Sequence, residues 1–224
     1  MRGLWLKVRS KLLTALLPLV ARPKANGAGL VEVGVGYGAW WVPSESVRPD
    51  AVAYCVGAGE DITFDLELHE AGLCVRTLDP TPRAIAHVQA VAPASDRFTF
   101  MPVGLWNDNA TVKFFAPKDP SHVSHSALNL QETQDFFEAE VVTLREAMQR
   151  AGDDRVDLLK IDIEGAEYNV LDDLHRNGPL PPVIAVDFDQ PQPVRRTLAA
   201  IKRLRSAGYE LVHIDEWDYT FVRN

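Results

Sequence analysis

The chain has 224 residues, 46% hydrophobic and 24% charged, which fits one globular α/β domain with a full core and excludes a low-complexity or disordered polymer. Its net charge of −8 argues against a general nucleic-acid binder. The two cysteines, Cys55 and Cys74, each fall in a predicted strand and read as buried thiols; they exclude a disulfide framework or a zinc site and favour a reducing, cytoplasmic compartment.

The charge is unevenly spread. Arg2, Lys7, Arg9, Lys11, Arg22 and Lys24 precede the first acid, Glu32, so this segment carries +6 and leaves −14 for the remainder of a chain whose total is −8. Leu12 to Ala21 is apolar except for Thr14, but it is only ten residues long and contains Pro18, too short to span a bilayer. Leu4, Val8, Leu12, Leu16 and Leu19 share one helical face. The first reading is an amphipathic helix packed on the domain. The second is weak contact with a membrane surface, since basic residues flank the stripe. The third is a cleaved signal. The expected division is 1–28 as N-terminal helix and loop, and 29–224 as a single domain.

From residue 30 onward strands and helices alternate. Leu30 to Val33 and Trp40 to Val42 read as a short β-ribbon. Ala51 to Val56 is the first buried strand, followed by a helix over 61–71 that Gly72 ends. A strand over 73–78, a helix over 82–91 and a strand over 97–103 come next. Residues 106–116 read as a hairpin turning at Asn107-Asp108-Asn109. A polar loop with two histidines leads to a short strand at 140–142. Thr143-Leu144-Arg145-Glu146 is a capping box opening a helix that stops at Gly152. Strand 158–163 and its helix, strand 183–188, helix 194–207 and a terminal β pair at 209–214 and 219–223 complete the chain. The order predicts a Rossmann-like, doubly wound, mainly parallel sheet with an antiparallel strand near one edge.

Within Leu158-Leu159-Lys160-Ile161-Asp162-Ile163-Glu164, the aliphatic residues suit a strand covered on both faces. Lys160, Asp162 and Glu164 sit two apart and are expected on one face. Buried charges are costly unless paired, so Lys160 is expected to neutralise an acid on the neighbouring strand, Asp187. Asp162 and Glu164 would then lie at the open end of the sheet, where such folds place ligands.

Two glycine runs compete for a cofactor. Gly34-Val35-Gly36-Tyr37-Gly38 fits the pattern, but Trp40-Trp41-Val42-Pro43 follows it, which is strand rather than helix. It is expected not to touch a cofactor. Gly57-Ala58-Gly59-Glu60-Asp61 follows an apolar strand and opens a helix, and Asp79 lies 20 residues beyond Gly59, at the end of the next strand. A carboxylate there can accept from both ribose hydroxyls. A dinucleotide needs free helix amides for its pyrophosphate; Ile62 stands where a third glycine would fall, and Glu60 and Asp61 would repel it. S-adenosylmethionine carries a sulfonium and an ammonium instead, and suits an acidic loop.

The segments YCVGAGEDITFDLEL, LDPTP, PVGLWNDNATVKFF and LLKIDIEGAEYNVL, with YGAWWVP, resemble the FkbM-type S-adenosylmethionine-dependent methyltransferases. The resemblance runs from about Gly36 to the C-terminus. It implies a class I methyltransferase fold and O-methylation of a hydroxyl on a sugar, polyketide or similar small molecule. By position it assigns cofactor contact to Gly57, Gly59, Glu60 and Asp79, and cleft positions to Asp162 and Glu164; Ala58 and Asp162 are further cofactor-binding candidates. Cys55 departs from the acid many methyltransferases place ahead of the glycines, and Asp187-Phe188-Asp189 from the Glu-Phe-His often found in the family.

Methyl transfer to a hydroxyl needs alignment and a base. Asp162, Glu164 and His125 are the catalytic candidates, with His122, Asp187 and Asp189 also considered; imidazole titrates near neutral pH. Acids at two strand ends could instead hold Mg²⁺, but Lys160 offers those acids a protein cation, and no metal is expected. NAD-linked oxidoreduction and an inactive methyltransferase-fold binding protein are the alternatives. The expected partner is a small-molecule hydroxyl acceptor.

Overall fold

A computed structural model of the chain describes residues 17, 19–24, 29–119, 125–188 and 194–223. Twelve strands and five helices are used below. Seven strands form the central sheet: β3 (Val52–Val56), β4 (Cys74–Leu78), β5 (Phe98–Met101), β9 (Leu158–Ile161), β10 (Val183–Asp187), β11 (Tyr209–Asp215) and β12 (Asp218–Arg223). Their order is β11-β12-β10-β9-β3-β4-β5. β10, β9, β3, β4 and β5 run parallel, and β12 is antiparallel to both its neighbours. The fold is therefore an α/β Rossmann-like sheet with one reversed strand next to its edge, as the alternation of elements predicts.

The order of the sheet follows from burial. β3 reads Val-Ala-Tyr-Cys-Val and is buried throughout. Val52, Tyr54 and Val56 join the core on one face, Ala53 and Cys55 the core on the other. A strand that feeds two cores must be central. The first core is closed by α3 (Leu144–Ala151), α4 (Glu167–Asn177) and α5 (Val194–Ser206), the second by α1 (Thr63–Glu70), α2 (Pro82–Val91) and the β1–β2 ribbon (Leu30–Val33, Trp40–Pro43). Cys55 is buried, Cys74 half-buried, and neither is in a disulfide.

One element departs from expectation. Residues 106–116 do not form a hairpin. β7 (Ala110–Phe115) pairs antiparallel with β8 (Phe136–Val142), and β6 (Gly104–Leu105) pairs parallel with β8 on its other side. Asn107 to Asn109 turn the chain, but β8 lies between the two segments and is longer than the short strand expected at 140–142. Its outer half is held by ring pairs, Phe114 on Phe137 and Phe115 on Phe136, of the kind that stabilise cross-strand neighbours. The capping box is half formed: the Thr143 hydroxyl accepts from the Glu146 amide, while Asn109 Oδ1, not Glu146, accepts from the Thr143 amide.

Most of the segment expected to form the N-terminal helix lies outside the described residues. At its end Leu17 and Ala21 are buried, 2% and 1% exposed, whereas Leu19 is 69% exposed. Of the expected stripe only Leu19 is described, and it is exposed, while Leu17 and Ala21 pack on the domain. The Arg205 guanidinium donates to the carbonyls of Ala21 and Arg22, and the Lys24 amide donates to the Leu211 carbonyl. No described helix is long and apolar enough to cross a membrane.

A buried ion pair lies under the sheet. Asp153, in the loop leading to β9, accepts from Arg76 Nε at 2.9 Å, Arg76 Nη2 at 3.0 Å and the Tyr54 hydroxyl at 2.8 Å. Asp153→Ala is expected to cost about 3–5 kcal/mol, because it strands a buried guanidinium. Urea denaturation measures this, and ligand affinity in the folded variant should be unchanged.

Candidate active site

The carboxyl ends of β3, β4 and β9 open into a cavity of about 780 Å³, within the range of small-molecule sites. Its floor is the Gly57–Asp61 loop. Gly57 has φ +88°, and a Cβ there would collide with the Asp162 carbonyl oxygen, so only glycine lets the two loops meet. The Gly57 amide donates to the Leu78 carbonyl and the Asp162 amide to the Val56 carbonyl; the ladder thus runs on past the strand ends.

Asp79 lines this cavity. One carboxylate oxygen accepts from the Ala58 and Gly59 amides at 2.9 and 3.0 Å, the other from the Thr81 amide and hydroxyl at 2.8 and 2.7 Å. A carboxylate offers about four lone-pair sites, so Asp79 divides its full capacity between the loop and Thr81. The Ala58 and Gly59 amides thus already have an acceptor within the chain. Glu60 also lines the cavity, but Arg83 holds it at 2.5 Å on the rim. Asp61 accepts from the Thr63 amide and hydroxyl and starts α1.

The alternation of β9 stops at Ile161. Residues 162–166 form a turn in which Glu164 has φ +57° and Gly165 φ +99°. Lys160, Asp162 and Glu164 all line the cavity, but not as one strand face. Lys160 does not pair with Asp187. Its ammonium donates to the Gly57 carbonyl at 2.7 Å and sits 3.4 Å from Asp162 and 5.3 Å from the Trp40 ring centroid. Burial works against its charge, but Asp162 and then Asp65 outweigh that and hold it above the usual lysine value. Asp187 lies at the end of β10, opposite Asp218 of β12, and is not among the cavity residues.

Two histidines were considered as base. His122 lies outside the described residues, as does Asp189. His125 lines the cavity and meets the Phe137 ring edge-on at 5.3 Å between centroids. The adjoining Ser126 fixes its position: its hydroxyl donates to the Glu164 carbonyl at 2.7 Å, and its backbone pairs with Phe115. The β7–β8 loop is thereby tied to the turn after β9. Among the described residues no group of three or more His, Cys, Asp or Glu is arranged for a metal ion.

Three features were not read from the sequence. Asp65 is buried on α1, lines the cavity and accepts from the Thr77 hydroxyl at 2.5 Å; burial pushes its carboxyl up to about 6. Its signal was present, since Asp61, Phe64, Asp65 and Leu68 follow the i, i+3, i+4, i+7 spacing of one helix face. Trp106 and Phe114 form an aromatic wall, and Tyr37, Gly38 and Trp40 bring the first glycine run onto the same cavity. That run was expected to stand apart; it packs against α1, its Gly34 amide donating to Glu67 at 2.7 Å. Glu167 is fully buried, and its Oε1 accepts from the Ile163 and Gly165 amides at 3.0 Å each. It braces the strained turn that carries Asp162 and Glu164.

The Methyltransferase FkbM domain matches residues 44–211. The chain belongs to the FkbM methyltransferase family. No curated protein gives a significant match to this FkbM chain. Among solved structures it is similar to a precorrin-6Y C5,15-methyltransferase from Geobacter metallireducens, with 14% identity over 79% of this chain and 82% of that one at a TM-score of 0.42. It is also similar to the Methanococcus jannaschii fibrillarin pre-rRNA processing protein, with 10% identity over 89% and 84% at a TM-score of 0.45. A third is a Burkholderia thailandensis 1,6-didemethyltoxoflavin N1-methyltransferase, with 15% identity over 80% and 72% at a TM-score of 0.38.

Burial pushes the Glu167 carboxyl up to about 7. The folded chain therefore keeps this proton at pH values where an unfolded chain has lost it. That contribution to stability is complete below about pH 4 and is lost as pH rises through about 7. Glu167→Gln mimics the protonated form. In urea denaturation it should gain on the wild type between pH 5 and pH 8; an equal offset at both values would count against a titrating Glu167.

Proposed function

We propose that this FkbM domain is an S-adenosylmethionine-dependent O-methyltransferase acting on a hydroxyl of a small molecule. The observation that carries the reading is the cavity itself. It is lined by an acidic loop whose Ala58 and Gly59 amides already donate to Asp79, by the aromatic side chains of Trp106 and Phe114, and by His125. Acidic walls suit a cofactor bearing a sulfonium and an ammonium, and aromatic faces suit a ring-bearing acceptor.

S-adenosylmethionine supplies an activated methyl group when bound. The chain's own tasks are to orient the acceptor hydroxyl, keep water out and take up its proton. His125 suits the last role best of the three candidates. Asp162 already faces the Lys160 ammonium, and Glu164 lies in the turn whose carbonyl anchors Ser126. Asp162 and Glu164 then shape the cavity around the methyl group.

Calorimetry with S-adenosylmethionine, S-adenosylhomocysteine and NAD is the direct test. The first two should bind and NAD should not; NAD binding without S-adenosylhomocysteine binding would favour an oxidoreductase, and binding of none an inactive fold. Asp79→Ala should weaken S-adenosylhomocysteine binding by about 1–3 kcal/mol, because the loop amides lose their acceptor. With an acceptor in hand, His125→Ala should lower kcat by about 10²–10⁴-fold with cofactor affinity unchanged.

A second reading concerns location. Leu19 and Val20 are exposed beside the strongly basic N-terminal segment, a combination that favours an anionic bilayer surface. Flotation with anionic vesicles should recover the full chain, and Leu19→Asp with Val20→Asp should reduce recovery. Equal recovery with uncharged vesicles would remove the electrostatic part.

A further inference from the structure

The cavity is electrostatically one-sided. Its carboxylates are Glu60, Asp61, Asp65, Asp79, Asp162 and Glu164, and Lys160 is the one ammonium or guanidinium that lines it among the described residues. S-adenosylmethionine suits such walls at its sulfonium and its α-ammonium. Its α-carboxylate does not: against carboxylates alone it would meet repulsion in a site partly shut from water.

Lys160 has capacity to spare. An ammonium carries three N–H groups. One is well used, on the Gly57 carbonyl at 2.7 Å. The remaining contacts, to the Val56 carbonyl at 3.5 Å and Asp162 at 3.4 Å, are longer than ordinary N–H···O bonds. The side chain is buried, its Cα register partner is Cys55 one residue before Val56, and it reaches the loop where the glycines end β3. Cys55 itself stands where an acid is common ahead of the glycines, and Asp65 from α1 supplies a buried carboxylate nearby. The cation thus sits among acids it does not fully satisfy, on the cavity side of the sheet.

We propose that Lys160 is a cofactor-binding residue that receives the α-carboxylate of S-adenosylmethionine, in addition to holding the Gly57 carbonyl. This rests on the cofactor reading above. A lysine that only braced the loop would support every adenosyl ligand alike. A lysine that meets the carboxylate discriminates between ligands with and without it.

Calorimetry on wild type and Lys160→Gln, each with S-adenosylmethionine and with decarboxylated S-adenosylmethionine, separates the two. Glutamine keeps an N–H donor for the Gly57 carbonyl and removes the charge. Wild type should prefer the carboxylate-bearing ligand by about tenfold or more, the scale of one charge-assisted hydrogen bond. Lys160→Gln should lose that preference while binding the decarboxylated ligand within about twofold of wild type. Equal wild-type affinities, a preference that survives in Lys160→Gln, or equal weakening of both ligands would each overturn the assignment. If Lys160→Gln does not fold, NMR of the wild-type lysine ammonium groups decides: the Lys160 signal should move with S-adenosylmethionine and not with its decarboxylated form, and the same movement with both would overturn it. Failure of the wild type to bind S-adenosylmethionine at all would instead remove the cofactor reading on which this rests.

Discussion

The site depends on one backbone contact. At Gly57 the turn out of β3 comes against the Asp162 carbonyl at the end of β9, with φ +88° and no room for a side chain. This approach puts the glycine loop and the 162–166 turn on one floor. Lys160 reaches up from β9 to the Gly57 carbonyl, and Asp79 reaches across from β4 to the Ala58 and Gly59 amides. Two strands flanking β3 thereby hold the same loop by opposite charges, one at a carbonyl and one at amides. A buried Cβ at 57 would push the loops apart and leave both anchors without their partners.

The strained turn after β9 is held from two other directions. Glu167 grips its amides from α4, and Ser126 grips its Glu164 carbonyl from the β7–β8 loop. Residues in left-handed backbone cost of order 1–3 kcal/mol each and persist only where surroundings fix them. Here the fixing groups come from segments about forty residues apart in sequence on one side and adjacent on the other. The contrast with the Arg76–Asp153–Tyr54 cluster is in the hydrogen bonds. That cluster is joined by three hydrogen bonds of 2.8–3.0 Å, while Lys160 keeps long contacts beside a cavity.

The sheet was legible because burial writes directly into sequence. An unbroken apolar β3 and the alternation of strands with helices fix a central parallel sheet, and a terminal β pair after the last helix supplies the reversed strand. The positions of the glycine loop and of Asp79 were legible for the same reason, as they punctuate those elements; that the Asp79 carboxylate, expected to accept from ribose hydroxyls, accepts from the Ala58 and Gly59 amides and Thr81 was not. Where the reading failed, the information was not periodic. Lys160 and Asp187 are one strand apart, so pairing was reasonable, but β9 stops at Ile161 and the lysine turns to a carbonyl that no pattern marks. Asn107 to Asn109 signal a turn without saying that the partner strand, Phe136–Val142, lies beyond the returning segment rather than before it. Asp65 was the readable omission: a carboxylate on the apolar face of α1, passed over because its neighbours are hydrophobic.

Asp79 turns a glycine-rich loop into something that carries its own anion. In a phosphate-binding loop the exposed amides are the recognition element, and the ligand completes them. Here a side chain from just beyond the adjacent strand completes two of them, so the loop's shape is set before any ligand arrives and the Ala58 and Gly59 amides are already committed. Changing the class of cofactor this scaffold accepts would therefore begin just past β4, by vacating position 79, rather than by adding glycines to the loop that sequence motifs single out.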